Sequence, residues 1–85
     1  DWARVARLAG ARTRLAGALL VMEAQQKSER VRLPGHAVLG ELLGVTRESV
    51  VRAMSALEAE GCITRLGRTY CELKPAALKD ICDAA

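Results

Sequence analysis

The run from His36 to Gly61, HAVLGELLGVTRESVVRAMSALEAEG, constrains the chain more than any other stretch. Leu39, Leu42 and Leu43 make an apolar patch at helical spacing, and Gly44 breaks it. Glycine adopts the left-handed conformation just past a helix C-terminus without a Cβ penalty. After Val45, Thr46 suits an N-cap, because its hydroxyl can accept from a free first-turn N–H. A second helix, residues 46–60, then runs to the stop at Gly61. The pattern predicts two helices joined by a tight turn.

At about 100° per residue, Val50, Ala53, Met54 and Leu57 share one face of the second helix. Arg47, Glu48, Val51, Arg52 and Ser55 share the other. If the first face is buried on the leucines, the second points outward with two arginines and a glutamate in its first two turns. Glu58 and Glu60 lie towards the far end. That polarity suits a helix entering a DNA major groove by its N-terminal end. Arginine bonds bidentately to guanine, and glutamate accepts from cytosine N4. The same spacing also fits a solvated Glu48–Arg52 salt bridge of a few tenths of a kcal/mol.

The 85 residues allow one domain, and half of the composition is apolar, enough to build a core. Trp2 and Tyr70 are the only aromatics, so that core consists of Leu, Val, Ile, Met and Ala. A net charge of +3 permits nucleic acid as a partner without proving it. Cys62, Cys71 and Cys82 show no metal-ligand spacing and read as small apolar residues in a reducing, cytoplasmic setting. No run is long enough for a membrane span or shaped like a secretory signal. One histidine, no glycine-rich phosphate loop and no carboxylate cluster argue against an enzyme, and no catalytic or metal residue is assigned. The scarcity of aromatics argues against single-stranded RNA.

Residues 2–9 read as a helix end with Trp2, Val5 and Leu8 or Ala9 as its stripe, and a second helix spans Ala11 to about Gln25. Gly10 between them is either a hinge or a glycine tolerated in one continuous helix at about 1 kcal/mol. Arg4, Arg7, Arg12 and Arg14 give this part a dense charge, one or two of them near phosphates and most solvated. Residues 29–33 alternate as a short strand, with Val31 and Leu33 on one face. Residues 62–66 and 69–73 form a hairpin turning at Gly67. Pro75 then opens a last helix packed back through Ala77, Leu78 and Ile81. The fold class expected is mainly α with a small antiparallel β-sheet, a winged helix-turn-helix.

The run LLGVTRESVVRA, residues 42–53, resembles the recognition element of the Crp/Fnr transcription regulators, and the likeness extends from about Arg12 to Leu78. The resemblance implies sequence-specific double-stranded DNA binding, with Arg47, Glu48, Val51 and Arg52 reading bases. Val51 stands where some members carry a hydroxyl or glycine, and could meet a thymine methyl. Thr46, Ser49, Arg65, Arg68 and His36 are the phosphate-binding candidates, Arg68 matching a position that is basic in the family. Gly35, His36 and Ala37 replace the capping and polar residues usual at that helix start, leaving His36 as the only contact there, or else an ordinary surface residue.

The site implied is a TGTGA-like inverted repeat facing a bacterial homodimer. Residues 1–9 would be the end of the dimerisation helix and residues 10–85 the DNA-binding domain. An effector (cyclic nucleotide, haem or other) would bind an N-terminal domain preceding Asp1, and RNA polymerase is a further implied partner. The chain lacks an initiator methionine and is expected to be part of a longer protein. The competing reading is a winged helix used only for protein–protein contact, which would put apolar residues on the outer face of residues 47–55.

Overall fold

The computed structural model describes residues 2–5 and 7–84. In chain order the elements are α1 (Trp2–Val5), α2 (Ala11–Gln26), β1 (Arg30–Arg32), α3 (His36–Leu43), α4 (Arg47–Ala59), β2 (Ile63–Leu66), β3 (Tyr70–Leu73) and α5 (Pro75–Asp83). This is the expected winged helix-turn-helix.

Helix α2 is the centre of the domain, packing against α4 on one side and α5 on another. Its Leu15 and Leu19 have no exposed surface, and Met22 follows a turn later at 5%. Val50, Met54 and Leu57 from α4, Leu39 from α3 and Leu78 from α5 complete the middle of the core. Full burial of such a side chain is worth about 1.5–3 kcal/mol. Pro75 occupies the first turn of α5, and Ala77 and Ile81 pack against the core from there. Cys62 and Cys71 are buried while Cys82 is partly exposed, and burial pushes the Cys71 thiol up to about 11.

The strands form one antiparallel sheet in the order β1-β3-β2. Register pairs are Val31 with Cys71 and Arg65 with Cys71, so β3 is the middle strand and the hairpin β2–β3 is the wing. The side-chain amide of Gln26 closes the outer edge of β1, accepting from Arg32 N at 2.8 Å and donating to Arg32 O at 2.9 Å. An unpaired strand edge is thereby satisfied without another strand.

Three expectations need correction. Leu42 is 54% exposed. The buried arc of α3 is centred between Leu39, Gly40 and Leu43, and Leu42 lies about 100° from its centre. Helix α1 ends at Val5 rather than near Ala9. The Leu8 carbonyl instead accepts from Arg14 Nε at 2.7 Å, and Gly10 has φ +81°, so the chain turns between two separate helices. Arg12 and Arg14 are not freely solvated. Arg14 also donates through Nη1 to Leu43 O at 2.8 Å, satisfying a carbonyl left open at the α3 C-terminus. Arg12 pairs with Glu60.

Candidate nucleic-acid interface

The turn that presents α4 is built by two glycines. Gly44 caps α3 with φ 69° and ψ 35°, the left-handed conformation predicted for it. Gly40 is buried for a different reason: a Cβ there would lie 2.8 Å from Val45 O and 3.4 Å from Arg47 N. The backbone of the turn rests directly on α3. Two residues on, Thr46 caps α4 in extended conformation, its Oγ1 accepting from Ser49 N at 3.1 Å. The Thr46 hydroxyl donates to Ser49 Oγ at 2.9 Å, which leaves the Ser49 hydroxyl proton to be offered elsewhere.

The two faces of α4 separate as the wheel predicts. Val50, Ala53, Met54 and Leu57 are buried; Arg47, Glu48, Arg52 and Ser55 are exposed, and Val51 is half-buried. The charges divide just as sharply. Arg12 pairs with Glu60, Arg30 with Glu72, and Arg65 with Glu58. Among the described residues Arg47, Arg52 and Arg68 enter no ion pair, and the alternative Glu48–Arg52 bridge is not formed. The acidic end of α4 is thus neutralised by its neighbours, while the arginines of its N-terminal turns and of the wing tip keep their charge.

A cleft of about 390 Å³ separates the start of α3 from the wing, with His36, Arg65, Arg68 and Tyr70 on its walls. His36 is the first residue of α3, whose cap residue Gly35 has no side chain to offer. Arg68 and Gly67, with φ +77°, form the wing turn. Of the phosphate candidates, Thr46 and Ser49 sit together at the α4 start, and His36 and Arg68 share the cleft. Arg65 is the exception, because its guanidinium is held by Glu58 at 3.0 Å through Nε and 2.8 Å through Nη2. Sequence reading missed Tyr70, which is 44% exposed on the cleft wall. Its signal was the alternation of β3, where Cys71 and Leu73 point inward and Tyr70 and Glu72 outward.

Hydrogen bonds from Arg65 and Arg12 hold the Glu58 and Glu60 carboxyls below the usual range. A depressed folded value means stabilisation that is complete above the ordinary carboxylate value of 4.5 and is lost as the pH falls through the folded values. Thermal melts from neutral pH down towards pH ~3 should therefore show a falling midpoint below about pH 4.5, shallower in a Glu58→Gln/Glu60→Gln variant. Parallel curves for the two proteins would show that these pairs contribute nothing.

No three histidine, cysteine or acidic residues among those described converge as a metal site, and no described helix is long and apolar enough to cross a membrane. A family model described as the Crp-like helix-turn-helix domain matches residues 13–81. The chain is similar to the catabolite activator protein of Thermus thermophilus, with 37% identity over 87% of this chain and 34% of that one, at a TM-score of 0.72. FixK2 from Bradyrhizobium japonicum shows 27% identity over 95% of this chain and 42% of its own, at a TM-score of 0.80. The CO-dependent transcription factor CooA from Carboxydothermus hydrogenoformans shares the fold, at 23% identity, coverage of 85% and 36%, and a TM-score of 0.75. The chain thus spans between a third and a half of the length of these proteins. No curated protein matches it.

Proposed function

Because this chain belongs to the Crp/Fnr family of transcription regulators, through its Crp-like helix-turn-helix domain, we propose that it binds double-stranded DNA sequence-specifically, with α4 in the major groove. The observation that carries the proposal is the contrast in charge pairing: acids at the far end of α4 are neutralised, while Arg47 and Arg52, on its exposed face, enter no ion pair among the described residues. A helix that enters the groove by its N-terminal end needs that arrangement.

In this reading Arg47, Glu48 and Arg52 reach base edges, and half-buried Val51 meets a thymine methyl. Ser49 offers its hydroxyl to one phosphate beside first-turn N–H groups, and Thr46, whose hydroxyl proton goes to Ser49 Oγ, orients it. His36 and Arg68 hold another across the cleft beside the wing. A TGTGA-like half-site fits this set, since it offers guanines to the two arginines and cytosines on the opposite strand to Glu48. Two half-sites about one helical turn apart would face a homodimer, its contacts extending upstream through α1, with the effector held in a further domain. The protein-contact alternative asks for an apolar outer face on α4, and Val51 is the one large apolar residue there.

Titrating isotope-labelled protein with a duplex and following backbone amide shifts tests the surface directly. Perturbations are expected at residues 46–52, at His36 and at the wing turn 67–70. Shifts confined to α1 and α5, or none at low salt, would contradict the proposal.

A further inference from the structure

The wing carries two arginines, and the structure treats them differently. Arg68, at the turn, enters no ion pair among the described residues. Arg65, three residues further back on β2, is bound three times by a single carboxylate from the last turns of α4. Its Nε and Nη2 donate to Glu58 Oε1 at 3.0 and 2.8 Å, and its backbone N–H donates to Glu58 Oε2 at 3.2 Å. Strand β2 is an edge strand, so that N–H faces away from the ladder and Glu58 supplies its acceptor. Both side chains are 38% exposed, and Arg65 lines the cleft that also holds His36, Arg68 and Tyr70.

We propose that Glu58 is a positioning residue for DNA binding: it ties the wing to the recognition helix and cancels the charge of Arg65, so that Arg68 alone of the wing arginines neutralises a phosphate. The proposal rests on the DNA-binding reading above. The Glu58–Arg65 pair is neutral as a unit, and a neutral unit releases no counterion from DNA. Removing the Glu58 charge frees a guanidinium that already stands on the cleft wall. The wing then gains a phosphate contact without sequence preference, and affinity for specific and random DNA rises alike. Glu58 acts here as a limit on non-specific binding.

Salt dependence separates this role from a merely structural one. Each phosphate neutralised adds about 0.9 to the slope of log K against log salt. Slopes are compared for the intact protein and its variants on a repeat-bearing duplex and on a random one. Glu58→Gln should bind both duplexes more tightly at low salt and steepen both slopes by about 0.9, so that its advantage shrinks about 3.5-fold between about 50 and 200 mM salt. Adding Arg65→Ala to Glu58→Gln should restore the original slope. A double variant whose slope falls about one below that of the native protein would overturn the proposal, as would a Glu58→Gln effect that survives the second substitution. The latch is also tested without DNA. Amide exchange at Arg65 should be slow in the native protein and fast in Glu58→Ala, and equal exchange would overturn it. A protein that binds no duplex would refute the DNA-binding reading while the exchange result still decides the latch.

Discussion

Gly40→Val is expected to lower the thermal midpoint by roughly 10–20 °C, the largest stability effect of any single substitution considered. The Cβ it introduces would sit 2.8 Å from Val45 O, inside any observed contact distance, with Arg47 N and Thr46 C at 3.4 Å behind it. All three neighbours are backbone, so none can swing aside as a side chain does. Relief requires α3 and the turn to separate, which uncovers Leu39 and Leu43 from α4. Overpacking of this kind costs about 1–3 kcal/mol, and valine adds two further methyl groups to it. Two other glycines supply the comparison. At Gly17 the nearest atom is Leu8 Cδ1 at 2.9 Å, the end of a flexible side chain, so Gly17→Ala is milder. At Gly35 nothing lies within 4 Å, and Gly35→Ala should be close to neutral. Thermal unfolding followed by circular dichroism decides it. A Gly40→Val midpoint equal to that of Gly35→Ala would mean that the turn is not packed as described.

Arg52→Ala is expected to abolish discrimination at one guanine of each half-site while leaving binding to random DNA nearly intact. A bidentate arginine–guanine contact discriminates by about 1–3 kcal/mol, roughly 5- to 150-fold. Arg52 is exposed and enters no ion pair among the described residues, so truncation leaves no buried charge behind and the fold is unaffected. Arg52→Lys should recover little, because an ammonium cannot reproduce the two parallel bonds of the guanidinium. Arg68→Ala is the counterpart. It should weaken every sequence alike and lower the salt slope by about one. Competition titrations with single-base variants of the site measure both. Equal loss on specific and random duplexes from Arg52→Ala would remove it from the base-reading set.

Much of the helical part was legible because its signals are local. Gly44 and Thr46 mark the turn within three residues, and both adopt the conformations that their chemistry favours. The period of α4 sorted Val50, Ala53, Met54 and Leu57 from Arg47, Glu48 and Arg52 without knowledge of what packs against it. The misreadings share a physical origin in long-range contact. Leu42 looked like core because its spacing fits, yet an eight-residue helix buries only a narrow arc. The partners of Arg12 and Arg14 are 48 and 29 residues away, beyond the reach of any periodicity, and Arg65 meets Glu58, 7 residues away, across the break between a helix and a strand. Arg65 therefore read as a free wing cation like Arg68, although the fold brings a glutamate to it. The pairing of β1 with β3 rather than β2 was equally invisible, since register pairs such as Val31 with Cys71 join distant segments.

If the outer face of α4 reads base sequence, affinity must depend on the order of bases in the duplex. Fluorescence-anisotropy titration at about 0.15 M salt, where non-specific binding is weak, tests it most directly. Two duplexes of equal length and composition are compared, one bearing a TGTGA inverted repeat and the other shuffled. Clear preference for the repeat is expected, carried by Arg47, Glu48 and Arg52. Indistinguishable affinities for the two duplexes, falling together as salt rises, would contradict it.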